Sequence, residues 1–420
     1  MNPFELKPKK LDDLIVPLSK IPQKPYDKLE VSPYTRVRLI LAQGTEFEAS
    51  WNGHQLDRRV YNNDIRRRVA FIRRSEQIQH KMLASLKPQD ENPLETTLAY
   101  EQLAVDLTAI LAKRAKNYVV KQQLDFALLE DFDHLYRFSD LLEMDEGKNF
   151  ELYLGDYTEV MPGRPTVAEF RHPNDDVRFS INSCKNDLIT NLDVGIITAA
   201  EQQTMNFYMN VGSYYPNDLG RKAFSEIALI EEQHVTGYES LKDPDLSWLE
   251  CNLMHEYTEC YVYYSLYQDE SDAAIKALYE RIFEQEVTHL HEAAELLKTY
   301  EGKSFCEVIP DGNFPELIKF GENISYVREV LKEANHTAVK EGYVPVRDLD
   351  GNADYYKYQK KFVGTGENNP THKIIEKYIK ENGEDLRFET APHPVKELRN
   401  RKVDDLTVGR GKAAFTPKNK

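Results

Sequence analysis

Residues 228–238, ALIEEQHVTGY, and residues 283–293, FEQEVTHLHEA, contain the two motifs that decide the fold prediction. Each stretch carries a Glu-x-x-His motif, the first at Glu231 and His234 and the second at Glu286 and His289. Residues three apart on a helix project to the same side, so each motif directs a carboxylate and an imidazole to one point. This spacing is typical of metal ligands on helices.

Two further glutamates precede the motifs at an equal distance. An interval of 30 residues separates Glu201 from Glu231, and the same interval separates Glu256 from Glu286. Turn-forming clusters lie near both midpoints, Pro-Asn-Asp in the first interval and Asp-Glu-Ser-Asp in the second. We therefore predict two helical hairpins, each of which brings a Glu to the height of a Glu-x-x-His motif.

Helix periodicity places the motif side chains on apolar faces. His234 shares its face with Ile227 and Ile230, and His289 shares its face with Ile282. An unpaired carboxylate buried in such a face costs several kcal/mol or becomes protonated, whereas a shared pair of divalent metal ions neutralises four carboxylates. The pattern therefore predicts a buried site for two metal ions.

The pattern resembles the ferritin-like di-iron, or di-manganese, carboxylate proteins, in which two helices each give a Glu and two others each give a Glu-x-x-His motif. The resemblance covers the chain between about residues 186 and 300. It implies an all-α fold, a ferritin-like four-helix bundle with additional N-terminal helices and irregular arms. It also implies two Fe ions as cofactors, or a Mn/Fe or Mn pair. The implied metal ligands are Glu201, Glu231, His234, Glu256, Glu286 and His289.

The resemblance also implies roles within the site. The glutamates of the two Glu-x-x-His motifs, or one of them, bridge the metals, the two preceding glutamates are terminal ligands, and each histidine gives one nitrogen to one metal. Glu259, one turn after Glu256, is left outside the set because its helix face carries Trp248, Asn252 and Val262. No residue is assigned a catalytic role.

A second set of ligands is compatible with the same spacing. Bundles of this type join their hairpins by a long crossover, but the glutamates of the two hairpins are only 25 residues apart (256 − 231). The long non-helical stretch that precedes Glu201 would serve as a crossover for a different pair of hairpins. The alternative set uses Glu101, Asp131 and His134 in place of Glu256, Glu286 and His289. The set ending in His289 is preferred because the alternative has an Asp where the pattern has a Glu.

Composition excludes several classes of protein. The net charge of −16 argues against nucleic-acid binding, which needs a basic face. No apolar run approaches the roughly 20 residues of a membrane span, so we expect a soluble, cytoplasmic protein without membrane contact. The four cysteines form no Cys-x-x-Cys motif, which excludes a zinc ribbon or a rubredoxin-type site.

The predicted domain organisation has five parts. These are an irregular N-terminal arm (1–55), N-terminal helices that pack on the bundle (56–145), a connector (146–186), the di-metal bundle (187–300) and an irregular C-terminal region with short helices (301–420). Residues 56–86 are rich in arginine, and at this net charge the favoured interpretation is a helix paired with an acidic surface of the same chain.

The function expected from these features is that of a di-metal oxidoreductase. It would activate O₂ or peroxide, act on a small organic substrate and take electrons from an external donor. One alternative is a peroxidase or ferroxidase. Another is a non-catalytic helical scaffold in which arginines between Arg66 and Arg74 reach Glu231 or Glu286 in place of metal. The oligomeric state, with a homodimer as one option, stays open.

Overall fold

The computed structural model describes residues 1–155, 158–163, 170–333, 337–338, 344–364, 366–385, 392–399 and 402. These residues form thirteen α-helices and one antiparallel pair of two-residue strands, β1 (Thr337–Ala338) and β2 (Val344–Pro345). The prediction of an all-α fold is confirmed. In this described part of the chain, no helix has the length and apolar character needed to cross a membrane.

Eight of the helices are long and five are short. The long helices are α1 (Pro33–Asp57), α2 (Asn63–Ala84), α3 (Pro93–Arg114), α4 (Tyr118–Glu146), α7 (Leu188–Tyr214), α8 (Asp218–Leu241), α9 (Trp248–Asp269) and α10 (Ala273–Glu301). The short helices are α5 (Glu151–Leu154), α6 (Pro173–Asp176), α11 (Ile324–Glu333), α12 (Asp354–Val363) and α13 (Pro370–Asn382).

Local sequence signals fix the ends of α9 and α10. Ser247 and Glu250 form a capping box at the start of α9, and each side chain bonds to the backbone N–H of the other. Asp272 caps the start of α10 through the backbone N–H groups of the next turn. Gly302, with φ of 69°, ends α10 in the left-handed region. Residues 248–301 therefore form two helices on either side of the turn at Asp272.

The chain divides into two compact units. Unit 1 comprises residues 1–91, 180–203 and 242–320, and unit 2 comprises residues 92–179 and 204–241 with the described part of 321–420. The boundary falls within α7, between Gln203 and Thr204. The sequence predicts a single bundle over residues 187–300, but the two units divide this range. Helices α9 and α10 belong to unit 1, α8 belongs to unit 2, and α7 contributes to both.

Unit 1 is built around two helical hairpins that pack together. Helix α1 contacts α2 and α9, and α10 contacts α9 and α2. Residues 33–55, assigned from sequence to an irregular arm, form most of α1 instead. This helix lacks a clear apolar periodicity because it buries charged groups as well. Arg38 is buried with Asp269 at 2.7 Å and Glu270 at 2.9 Å.

The segment before α1 lies along the hairpin formed by α9 and α10 in unit 1. Its regular structure is limited to three 3₁₀ turns, Pro3–Glu5, Leu11–Leu14 and Leu18–Lys20. Phe4 stacks on Phe305 with ring centroids 3.8 Å apart, and the Lys9 amide donates a hydrogen bond of 2.9 Å to the Thr288 hydroxyl on α10. The arm is therefore anchored by specific contacts.

Unit 2 contains the remaining long helices and the short C-terminal helices. Helix α4 contacts α3 and α8, and α13 packs against both α4 and α8. Glu226 on α8 accepts hydrogen bonds from the Thr371 amide at 2.9 Å and from the Asn369 side chain at 2.8 Å. Parts of the predicted connector and of the predicted C-terminal region lie outside the described residues.

Gly44 marks a close approach between α1 and α7 within unit 1. A Cβ added there would lie 2.9 Å from the backbone carbonyl oxygen of Ala199. We expect Gly44→Ala to lower the free energy of unfolding by about 1–2 kcal/mol, because the backbone of α1 or α7 must shift to make room for the added methyl group. The matched control is Gly195→Ala on α7, where the added Cβ meets Thr258 at an ordinary 3.7 Å.

The control should be neutral or stabilising by up to about 1 kcal/mol, since alanine favours a helix over glycine. Urea unfolding followed by circular dichroism measures both changes. Equal stabilities for Gly44→Ala and Gly195→Ala would contradict the close packing of α1 on α7.

Candidate metal centres

Four side chains from three helices of unit 1 converge on one point, and we call this group cluster A. It consists of Glu76 on α2, Glu256 on α9, and Glu286 and His289 on α10. Each side chain is buried and offers one ligand atom, and these atoms all lie within 4.8 Å of one another. The Nδ1 atom of His289 lies 2.8 Å from Glu76 Oε1, 3.0 Å from Glu286 Oε2 and 3.9 Å from Glu256 Oε2.

Two more buried carboxylates of unit 1 interact with cluster A. Glu46 on α1 accepts a hydrogen bond from the Tyr263 hydroxyl, and Glu259 lies one turn of α9 after Glu256. In the described structure, Glu46 Oε2 and Glu259 Oε1 have no hydrogen-bond partner, and Glu259 Oε2 lies 3.4 Å from His255 Nε2. Buried carboxylate oxygens are normally hydrogen-bonded, so these atoms mark a place where a cation would satisfy them.

Burial and the crowding of like charges raise the pKa values of Glu46, Glu256, Glu259 and Glu286. For Glu46, burial acts first, and the charges of Glu76 and Glu286 add to it. Burial and neighbouring carboxylates likewise raise the pKa of Glu259. Burial favours a neutral imidazole at His289, but the charges of Glu286 and Glu76 outweigh it and raise the pKa of His289 well above its usual value. Protons or metal cations can relieve this excess of negative charge.

Unit 2 contains a second group of buried carboxylates and histidines, which we call cluster B. Its members on α3, α4 and α8 are Glu101, Asp131, His134, Glu231 and His234. His134 Nδ1 lies 3.1 Å from Glu231 Oε1. His234 Nδ1 lies 3.1 Å from Glu231 Oε2 and 3.4 Å from Asp131 Oδ1. Glu231 therefore lies between two imidazoles.

Glu130 holds the other side of the His234 ring. The Nε2 atom of His234 forms a hydrogen bond with the Glu130 carboxylate, and both side chains are fully buried. This bond keeps Nδ1 directed at Asp131 and Glu231. A carboxylate behind the imidazole is the usual device that orients a metal-binding histidine and raises its basicity.

The pKa shifts in cluster B differ from those around cluster A. Burial alone would raise the pKa of Glu231, but hydrogen bonds and charges from His134 and His234 outweigh it and lower that pKa to about 2. Burial raises the pKa of Glu101 well above its usual range, and the charges of Glu231 and Asp131 act in the same direction. Cluster B thus contains a firmly ionised carboxylate that two imidazoles compensate.

Glu201 lies on α7 in unit 1. Its side chain is buried, two residues before the boundary at Gln203.

The donor atoms of both clusters could hold metal ions. Metal bonds of about 2.1 Å to oxygen and nitrogen place the ligands of one ion roughly 3–4 Å apart. The distances around His289 and His234 fall in or near this range. Carboxylate and imidazole donors suit iron and manganese. The buried carboxylate and histidine clusters are therefore compatible with a di-iron type of site.

The structure distributes the six predicted ligands over two groups. Glu256, Glu286 and His289 lie in cluster A, Glu231 and His234 lie in cluster B, and Glu201 lies on the part of α7 that belongs to unit 1. The alternative residues Glu101, Asp131 and His134 lie in cluster B as well. The six residues do not form one group, because the hairpins that carry them belong to different units. Their roles as metal ligands stay a prediction.

Sequence reasoning missed three carboxylates around cluster A, namely Glu46, Glu76 and Glu259. A signal for the first two exists, since they are also 30 residues apart (76 − 46) and Glu76 begins a Glu-x-x-Gln motif that ends at Gln79. This motif is hard to recognise because glutamine replaces histidine and arginines dominate α2. Glu259, left outside the predicted ligand set, is fully buried in unit 1.

The arginines of α2 do not compensate cluster A. Arg73 pairs with Asp57 at 2.7 Å, and Arg68 bonds Glu292 at 2.8 Å on the outer side of α10. The side chains of Arg66, Arg67 and Arg74 are exposed. The scaffold hypothesis requires these cations to reach Glu286 in unit 1, and the observed pairs give it no support.

A very small cavity reaches cluster A from the outside of unit 1. Its volume is about 10 Å³, and its lining includes Glu76, Glu256, His255, Gly53 and Arg73. A space of this size holds about one water-sized molecule. The Arg73 side chain crosses it, within 2.7 Å of the position that a Cβ on Gly53 would take.

No protein-family model, curated protein or solved structure matches this chain.

Proposed function

We propose that this chain is a ferritin-like di-metal oxidoreductase that binds iron or manganese at cluster A and cluster B and reduces O₂ or peroxide. One observation carries the proposal. Around cluster A, five buried carboxylates are accompanied by only two histidines, His289 and His255, in the described structure, and several of the carboxylate oxygens have no hydrogen-bond partner there. Divalent metals compensate such a group, whereas a purely structural core would leave the charge unpaired.

The size of the cavity at cluster A favours a very small substrate. A small organic substrate stays a prediction from the sequence, but the volume of about 10 Å³ beside Glu76 and Glu256 favours a smaller species at this place. O₂ and hydrogen peroxide, with two heavy atoms each, are the smallest oxidants of this chemistry. We therefore propose the oxidant itself as the species that enters cluster A, with reducing equivalents from an external donor.

The chain's own residues hold the site and shield it. The Tyr263 hydroxyl donates a hydrogen bond to Glu46, and the Gln79 side chain donates one of 2.6 Å to Glu286 Oε1. These bonds fix the directions of two carboxylates that burial alone would leave mobile. Iron or manganese bound there would supply electrons for the reduction of O₂ or peroxide. The surrounding helices exclude bulk water, which strengthens every electrostatic interaction inside.

A second candidate is the oxidation of ferrous iron as the substrate. The same cavity favours it, because a metal ion also fits a water-sized space lined by Glu76 and Glu256. A ferroxidase oxidises many Fe²⁺ ions per chain without another reductant. Counting the iron oxidised per chain in air separates this function from peroxide or O₂ reduction by an external donor.

The Glu286→Gln variant tests the proposed activity. The substitution keeps the shape of the side chain but removes one charge from cluster A. We expect the iron-loaded variant to consume O₂ or peroxide at least about tenfold more slowly than the wild-type chain, because the metal is held less tightly. The rate of O₂ consumption is measured with an oxygen electrode, and the rate of peroxide decay is measured separately. Both assays use a chemical reductant other than dithionite.

The matched control is Glu284→Gln, two residues earlier on α10. Glu284 is exposed and pairs with Lys9 at 2.7 Å on the surface, so its loss should leave the rate within about twofold. Wild-type rates no higher than those of free iron, or equal losses in the two variants, would overturn the proposal.

A further inference from the structure

The helical hairpin formed by α1 and α2 in unit 1 separates its charges, and most of its carboxylates are turned inward. Residues 33–84 contain five carboxylates. Three of them are buried, namely Glu46, Glu48 and Glu76. Of the other two, Asp57 pairs with Arg73 at 2.7 Å, and Asp64 accepts a hydrogen bond of 2.7 Å from the Tyr300 hydroxyl. The outer side of the hairpin therefore carries little negative charge that is free to compensate cations.

The cations of the same hairpin lie mostly on its outer side. Six of them are exposed and form no ion pair in the part of the chain that the structure describes, and we call them the basic surface: Arg58, Arg59, Arg66, Arg67, Arg74 and Lys81. Arg67, Arg74 and Lys81 follow one another at intervals of seven residues, so they share one side of α2. Glu76 comes two residues after Arg74, about 200° around the helix, and therefore faces the opposite side.

The hairpin also exposes aromatic side chains. Tyr61, in the turn between α1 and α2, is fully exposed, and Trp51 on α1 is half-exposed. Arg59 lies over the ring of Trp248, with 5.8 Å from its guanidinium carbon to the ring centroid. Arginine, tryptophan and tyrosine are the residue types that contribute most of the binding energy at protein–protein interfaces. Their combination with one sign of charge fits a protein partner that presents carboxylates.

We infer that the basic surface is the docking site of an acidic redox protein, the external electron donor of the proposed function. Because the chain has a net charge of −16, an acidic partner is repelled by the molecule as a whole and attracted at the basic surface, which selects one orientation for docking. The same net charge disfavours nucleic acid as the partner. The role of the partner as electron donor rests on the proposed function, whereas its docking does not.

Helix α2 connects the basic surface with cluster A. Its inner side carries Glu76, a member of cluster A, and its outer side carries Arg74. A helix with its side chains is about 10–12 Å across, so a partner docked on α2 comes within roughly that distance of cluster A. The cavity beside Glu76 has a volume of about 10 Å³, which is too small for an organic reductant to enter. Electrons from a donor outside would therefore cross α2.

The test measures the binding of a plant-type ferredoxin, an acidic iron–sulfur protein, to the immobilised full chain by surface plasmon resonance. The triple variant reverses three charges of the basic surface, Arg66→Glu, Arg67→Glu and Arg74→Glu. We expect it to bind ferredoxin at least about tenfold more weakly than the wild-type chain. We also expect the wild-type affinity to fall at least about tenfold as the ionic strength rises from about 0.02 to 0.3 M, because salt screens the attraction.

The matched control reverses three exposed lysines of unit 2, Lys360→Glu, Lys377→Glu and Lys380→Glu. It changes the net charge by the same amount as the triple variant but leaves the basic surface intact. Its affinity for ferredoxin should stay within about threefold of the wild-type value, since charges away from the docking site act only over a screened distance.

A second measurement follows electron transfer to the iron-loaded chain. With reduced ferredoxin as the donor, the triple variant should consume O₂ at least about tenfold more slowly than the wild-type chain, and with a neutral chemical reductant the two rates should be equal. Absence of ferredoxin binding by the wild-type chain, equal binding by the triple variant and the control, or tighter binding of duplex DNA than of ferredoxin would overturn this inference. The proposed function survives each of these results if the chemical reductant supports metal-dependent consumption of O₂, and fails if it does not.

Discussion

A double variant, Glu231→Ala with Glu286→Ala, is expected to retain less than about a tenth of the metal that the wild-type chain binds. Each glutamate contacts the histidine of its own cluster, Glu231 at 3.1 Å and Glu286 at 3.0 Å. Even residues behind a metal ligand change metal affinity about 10–100-fold when they are replaced, so the loss of a direct ligand should cost at least as much.

The single variants resolve the contribution of each cluster. Glu231→Ala should empty cluster B and spare cluster A, and Glu286→Ala should do the reverse. The controls are Glu232→Ala and Glu284→Ala, which remove exposed carboxylates adjacent to or near the same motifs. Elemental analysis after anaerobic loading gives the metal per chain. If either single variant lost all of its metal, a single shared site would explain the data better than two clusters.

Removal of metal is expected to lower the melting temperature by roughly 5–10 °C. Without cations, the carboxylates around cluster A must remain buried and mutually repelling or take up protons, and both options destabilise the fold. A ligand at 100 times its dissociation constant stabilises a protein by about 2.7 kcal/mol, which gives a shift of this size for units of about 200 residues.

The measurement compares melting curves before and after chelation, followed by dialysis against Fe²⁺ or Mn²⁺. The double variant is the control, since a chain that binds no metal should not respond to the chelator. A wild-type melting temperature that is the same with and without chelator would contradict a structural contribution of bound metal.

The sequence predicts the individual hairpins better than their pairing. The interval of 30 residues and the turn clusters locate the helices that carry Glu201, Glu231, Glu256 and Glu286, because these signals are local. Which hairpins pack together depends on contacts between residues far apart in sequence. Four hairpins of this chain carry an acidic residue 30 positions before a second one, so the spacing does not distinguish one pairing from another.

Residues on α1 show a second reason why the sequence predicts individual helices better than it predicts how they pack. Periodicity analysis relies on one apolar face, but α1 is buried along most of its length and carries Arg38, Glu46 and Glu48 inside unit 1. Their partners, such as Glu270 for Arg38 and Lys242 for Glu48, lie 194 to 232 residues away in the chain. Polar residues that are satisfied by distant partners look like surface residues in a sequence.

The most direct test of the metal-centre account is anomalous X-ray diffraction from crystals of the full chain loaded with iron and manganese, recorded on both sides of each metal's absorption edge. We expect anomalous peaks at about 2.0–2.3 Å from His289 Nδ1 in cluster A and from His234 Nδ1 in cluster B. Well-ordered crystals of metal-loaded protein without an anomalous peak at either cluster would contradict the account.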